Sequence, residues 1–540
     1  MKLKNILIKV LACSSMLIAT ASCSSFLDRE PQGQAVDTPA YYDDVENAQL
    51  AVNACYQAIA QDQGVVAHMQ EWMFGEVMSD NAWKGGSDFG DMQDVQMLKE
   101  WTAVNVNATS HSAWKTYYQA IHRANTAIKG ISPATSFDET TRDQLVGEAL
   151  FIRAYSYFYL VRLFGDVPLF TEPVSPDQIG NVGRSSVKDV LTQIEADFSE
   201  AADKLGNRSE MDLGRATSGA AKAYLARVIM YDIGIWNANN HTWQEVFDLT
   251  NEVIASSQYS LAFNLAEVFE IDGENGVGSI FEVQHTTSNT GWANQNTGSS
   301  SPILTAPRGT GDIKGWGWGF LNPSQDLVDE FEANDPRLEW TAGQDGQFAH
   351  GVAQGVSTSQ FLSGYFPRKV LMDQALRPNE QSDNPQNQRK FRYADLLLMN
   401  AEAAYHTGNE SMARQRVNEV RDRARKMTYP KGWNESDNTY SDRDNSAALP
   451  EVTASGNLLI EAILHERRVE LSLEGLRFWD LLRTGQLETA LQKDNIGYRE
   501  DLTGATVVSN MEGKKLNGIP VLPIPAAEVA SFGLSQNPGY

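Results

Sequence analysis

The chain has 540 residues, with 44 Lys and Arg against 69 Asp and Glu, a formal charge of −25. A field of that sign repels polyanions, which makes nucleic acid and acidic membrane surfaces poor partners, while an uncharged ligand is unaffected. The three cysteines are Cys13, Cys23 and Cys55, too few for a disulfide framework, so stability has to come from a large core.

Residues 1–22 read as an export leader. Lys2, Lys4 and Lys9 make a cationic start, Val10 to Ala19 is mostly apolar, and the small residues Ala19, Thr20, Ala21 and Ser22 run into Cys23. The apolar run is far below the length needed to span a bilayer. A cysteine after small residues at this distance resembles the lipobox of bacterial lipoproteins, in which the thiol is diacylated and the cysteine becomes the first mature residue. Thr20 stands where the lipobox usually carries Leu; an ordinary secreted protein cut near Ser22 is the alternative. Two acyl chains anchor stably where one does not. Without the leader's three lysines the formal charge is about −28.

From about residue 43 to 260 the sequence reads as successive helices with short polar breaks. Segments with helical periodicity are Val45 to Gln61, Ala113 to Lys129, Thr140 to Phe164, Ser186 to Leu205, Ser218 to Asp232 and Thr242 to Ser256. The one through Leu150, Ala154, Tyr157 and Val161 is apolar around most of its circumference, which predicts burial between neighbours. Arg153 and Arg162 rule it out as a membrane span, and Gly165 and Pro168 stop it. Small residues among aromatics, as in Ala220, Ala221, Ala223 and Tyr224, allow close helix pairs and suggest tetratricopeptide-like hairpins.

Between about residues 261 and 390 the long helical patterns stop. Seven glycines fall between Gly291 and Gly319, with Trp292, Trp316, Trp318 and Phe320 among them, which marks loop territory. Ser279 to Gln284 and Tyr365 to Leu371 are the strand candidates. Helices return at Tyr393 to His406, Met412 to Lys426 and Leu458 to Leu473, the last two separated by an exposed polar excursion, Tyr429 to Ser446. The tail after Gly518 carries Pro520, Pro523 and Pro525 and is expected to be extended, without helix.

Familiar catalytic motifs are missing. His465 and Glu466 begin an HExxH match that fails at Val469, and there is no GxSxG elbow or phosphate-cradling GxxxxGK[ST] loop. Asp442 and Asp444 open a calcium-like loop, but Ala447 replaces its Gly and Thr453 its final Glu. The eight histidines have no ligand spacing, so neither metal nor cofactor is expected. One polar cluster stands out, from Glu466, Arg467, Arg468 and Glu470 to Glu474, Arg477, Asp480 and Arg483. The apolar stripe through Ile460, Leu464 and Leu471 next falls at Arg467 or Arg468, and an arginine there needs a partner. A catalytic reading makes Glu470 or Glu474 a general acid; the structural reading, a buried ion network, is the one favoured.

ERRVELSLEGLRFWDLLRTG, Glu466 to Gly485, resembles the ERRxELxxEGxRxxDLxRxG signature of the SusD/RagB family of surface lipoproteins. Gly147 to Phe170, Phe391 to Ala403, Asp335 to Arg337, Leu522 to Tyr540 and Phe26 to Gln32 resemble further family blocks in the family's order. The resemblance implies a mainly α fold: a single SusD-like globule over residues 23–540. Tetratricopeptide-like hairpins, about residues 43–260 and 391–485, would form one side, and a loop-rich, ligand-facing region with few short strands, about 261–390, the other, followed by an extended tail, 518–540. It overrides the two or more domains that length alone suggests. It further implies a non-catalytic protein anchored through Cys23 in the outer membrane and facing the medium. That protein would capture oligosaccharide or polysaccharide for a SusC-like TonB-dependent transporter.

Neutral sugars offer apolar CH faces and a rim of hydroxyls, so exposed aromatics beside Asn, Gln and Asp are the residues to seek. Trp83, in SDNAWKGGSDFGD with Asn81, is expected in a loop, as is Trp292 in NTGWANQN with Asn294 and Gln295. Trp316, Trp318 and Tyr365 complete the candidate set, while Trp72, Trp101 and Trp114 follow helical patterns and belong to the core. Two other classes stay open on sequence: a glycoside hydrolase using an unidentified carboxylate pair, and a helical scaffold that binds only protein.

Overall fold

Helix starts are set by side chains that capture the first free backbone N–H groups. In the computed structural model, which describes residues 39–60, 71–175, 180, 182–287, 298–308, 317–344, 348–349, 352–353, 363–372, 376–378, 382–427, 433–434, 439–440, 449–493 and 502–540, α1 spans Val45–Ala60. Asn107 caps α2 (Ala108–Ile131), Asp138 caps α3 (Glu139–Phe164), Ser186 caps α4 (Val187–Lys204) and Thr217 caps α5 (Ser218–Tyr231). Thr242 and Glu245 form a capping box on α6 (Trp243–Ala255). After a long excursion come α7 (Tyr393–His406), α8 (Glu410–Lys426) and α9 (Asn457–Leu471). The expected helices are all present, with ends shifted by a few residues.

Each helix from α1 to α6 packs against its successor; α7 then packs on α6, α8 and α9. At the centre lies α3, buried without a break from Leu145 to Phe164, as its all-round apolar pattern predicts. Gly165 ends it with φ 70°, a conformation that costs a side chain little only when there is none. One main cluster of buried apolar residues runs from Tyr42 to Leu534 and joins all of these helices. Two satellites, one around Phe366 and Leu371 and one around Phe269 and Trp340, sit under the loop-rich region.

Strands are few and pair across long stretches of chain. β1 (Ala82–Gly85) pairs antiparallel with β3 (Phe320–Pro323), β2 (Ser279–Val283) with β6 (Gln388–Arg392), and β4 (Ala342–Gln344) with β5 (Tyr365–Pro367). The strand expected over Tyr365 to Leu371 thus ends at Pro367 and turns. One expectation fails: Ala526–Phe532 is helical. Pro525 is the residue just before the first turn, where its fixed φ and missing N–H do no harm, so the proline that seemed to forbid helix precedes one. The polar excursion lies outside the described residues, apart from a pairing of Trp433–Asn434 with Thr439–Tyr440. Among the described residues no helix is long and apolar enough to cross a membrane.

Candidate functional site

Trp83 is on a strand and not in the loop expected of it. Alternation along β1 turns Ala82 and Lys84 inward, both buried, and leaves Trp83 half-buried on the opposite face, paired in register with Asn322 of β3. The indole Nε1 of Trp83 and the Oδ1 of Asn322 are both buried, and neither has a partner among the described residues. Both atoms are closed off from solvent, so what Trp83 offers a ligand is the exposed part of its ring.

A rigid turn follows the strand. Ser87 N and Oγ donate to the Asp91 carboxylate at 2.9 and 3.0 Å, Gly90 N donates to Asp88 Oδ1 at 2.8 Å, and Gly86 N donates to Gly319 O at 2.8 Å. Lys84 Nζ reaches up from below to the carbonyls of Asp88, at 2.9 Å, and Asp91, while Arg308 pairs with the Asp91 carboxylate. Burial pushes the Lys84 ammonium down to about 8, against the pull of Asp91 and Asp88. This frame holds Phe89, half-exposed, at the tip of the turn.

β5 packs on β3, which brings Tyr365 to the same strand cluster; it is half-exposed and its hydroxyl lies 3.4 Å from Gln325 Oε1. Trp318, two residues before β3, is half-buried against the main core and donates its backbone N–H to Ile303 O at 2.9 Å. Trp83, Trp318 and Tyr365 therefore lie on neighbouring segments. Trp72, Trp101 and Trp114 are buried in the core, as expected.

Asn81 does not belong with them. It is fully buried, its amide donates to Glu76 at 3.0 Å and accepts from Arg468 at 3.1 Å, and its carbonyl accepts from Ser324 N at 2.8 Å. Those internal bonds use both ends of the side chain, so the expectation that it faces ligand is corrected. Cys23, Trp292, Asn294, Gln295, Trp316 and the calcium-like Asp442 and Asp444 lie outside the described residues. Sequence reading missed Lys84, Phe89, Arg308 and Asn322. Phe89 could have been found, since it sits in the same Gly and Asp rich stretch as Trp83; Asn322 could not, because its place depends on a pairing with a distant strand.

A family profile described as the SusD family matches residues 278–540, and a second, described as starch-binding and associating with the outer membrane, matches residues 25–230. The chain belongs to the SusD/RagB family. SusD-like protein P38 of Formosa agariphila is 27% identical over 522 residues, covering 90% of this chain and 92% of that one. A solved laminarin-binding SusD-like protein is 28% identical with a TM-score of 0.73, over 92% of this chain and 99% of its own. Surface glycan-binding protein A from Bacteroides uniformis is 25% identical with a TM-score of 0.72, over 91% and 99% of the two chains.

The SusD-family signature carries an ion network that is structural. Glu466 accepts from Arg337 at 2.5 Å and Arg421 at 2.9 Å; Glu470 pairs with Arg337, Arg392 and Arg423; Glu474 pairs with Lys369 at 2.7 Å and Arg392 at 2.6 Å. Arg467 binds Asp395 at 2.7 Å, and Arg468 binds Asp326 at 2.5 Å and Glu330 at 2.8 Å, so both arginines on the apolar stripe are paired as they must be. Burial alone would raise the Glu470 pKa, yet Arg423, Arg392, Arg337 and Lys369 outweigh it and hold the carboxyl well below the usual range. A group that keeps its proton off this firmly cannot deliver one, so the reading of Glu470 as a general acid is withdrawn. Glu474, committed to two cations, is no better placed.

Proposed function

We propose that this SusD-family protein captures oligosaccharide or polysaccharide at the cell surface, anchored by an acylated Cys23, and hands it to a SusC-like TonB-dependent transporter without cleaving it. The observation that carries the binding site is the β1, β3 and β5 cluster, which sets the partly exposed Trp83, Trp318 and Tyr365 on neighbouring segments. Aromatic faces cover the CH face of a sugar ring. The laminarin-binding relative, similar over nearly the whole chain, favours a neutral glucan as ligand. Tethering beside a transporter raises the glycan concentration at its mouth without requiring tight binding.

Affinity gels and calorimetry with laminarin oligosaccharides test this reading. Trp83→Ala is expected to weaken binding about tenfold, the scale of one lost stacking contact, while Trp83→Phe recovers most of it. Because Trp83 is half-buried, far-UV circular dichroism of both variants separates lost binding from lost folding. Unchanged affinity in a folded Trp83→Ala rejects this site, and release of new reducing ends by the purified protein rejects the non-catalytic reading.

A further inference from the structure

A concavity that shares no residue with the strand cluster opens along α2 with a volume of about 660 Å³. That is the size of a small-ligand pocket. Its walls are aromatic: the Tyr118 ring lies 4.8 Å from Trp114 and 6.0 Å, edge to face, from Phe170, and Phe532 of the C-terminal helix faces the same space. The Tyr118 hydroxyl is spent on Pro168 O at 2.7 Å, so Tyr118 offers its ring and not its oxygen.

Polar groups converge on this apolar floor from both sides. Glu528, half-buried, accepts from the Trp114 indole and lies near His111; burial raises its pKa against those two influences. Lys115 and His122 stand exposed on the same groove, one turn and three turns along α2 from His111. An alkyl chain laid in the groove would further desolvate the Glu528 carboxyl without a compensating donor, at a cost in free energy. Glu172 lines the same groove, so carboxylates stand beside Lys115, and neither a cation nor a polyanion finds a wall of a single opposite sign. A neutral ring with one apolar face and several hydroxyls satisfies every wall at once.

We infer that this groove is a second saccharide subsite, taking a neutral sugar residue against Tyr118, Phe170 and Phe532 with a hydroxyl on Glu528. The inference rests on the reading that the chain binds glycan, but on none of the strand-site residues. A second site raises the residence time of a long chain that reaches both.

Laminarihexaose is titrated into the intact chain from Cys23 onward, following both calorimetric stoichiometry and tryptophan fluorescence, in the wild type, Trp83→Ala, Phe532→Ser and Phe170→Ser, with circular dichroism confirming that each is folded. Two equivalents are expected in the wild type, with one weakened about tenfold in Trp83→Ala and the other at least tenfold in Phe532→Ser and Phe170→Ser. One equivalent that weakens in Trp83→Ala overturns the groove and leaves the strand site standing. One equivalent that weakens only in the Phe532 and Phe170 variants supports the groove and removes the strand site. Two equivalents untouched by either groove variant overturn the inference, and no binding at all overturns both. Two groove variants are used so that misfolding of one still leaves the question answered.

Discussion

His465 sits between two carboxylates, Glu330 at 2.6 Å and Glu332 at 3.4 Å. In sequence it opened a failed metalloprotease motif; in the structure it ties the family signature to the segment just ahead of the Asp335 to Arg337 block. Burial alone would lower its pKa, but the Glu330 hydrogen bond and the charges of Glu330, Glu466 and Glu332 prevail and raise it above the ordinary 6.5. The native state then holds the proton more tightly than the unfolded chain. Its stabilisation is complete below about pH 6.5 and is lost as pH climbs through the folded value. The melting temperature is expected to fall across that window, and His465→Gln to flatten that part of the curve; an identical slope in the variant would reject the assignment. At this scale the sequence spoke clearly where burial forced an answer: Arg467 and Arg468 needed partners and have them. It was silent on which acid belongs to which base, because Arg337, Asp395 and Asp326 reach the signature only through the fold.

Gly75 and Gly475 meet backbone to backbone. A Cβ on Gly75 would lie 1.9 Å from the Gly475 carbonyl oxygen, in a short π-helical turn, Met73–Val77, that is buried throughout. Neighbouring Glu76 then accepts from Gly475 N at 2.7 Å and Leu476 N at 3.0 Å, so the turn locks onto the Glu-Gly-Leu of the signature. Gly75→Ala is expected to destabilise by about 3 kcal/mol, the upper end for overpacking, because backbone cannot swing aside as a side chain does. Urea unfolding measures it, and a wild-type midpoint would show that the two segments can separate at little cost. Helices such as α3 were legible because 3.6-residue periodicity and caps are local. β1 was not: glycines suggested a loop, and the strand exists only because β3 arrives from far along the chain. The C-terminal helix was missed for a different reason, since a proline forbids helix before itself more than after.

For the whole molecule, the family blocks in the sequence sufficed to place the fold, and the family profiles match over residues 25–230 and 278–540. The candidate site was only half legible, because the family's shared blocks hold helices and charges together while Trp83 and Tyr365 sit in short segments that follow no helical period. Anchoring belongs to this scale too. Cys23→Ala is expected to lose metabolic lipid label and to move the protein from the membrane fraction to the medium; label that persists would place acylation elsewhere. The junction of Glu76 with Gly475 and Leu476 has a consequence in time. The turn at residues 73–77 has its seat only in the signature, about 400 residues further along the chain, and contacts this distant in sequence form slowly. The turn that carries Gly75 is therefore expected to close late, after the helix pairs that pack on their neighbours in sequence.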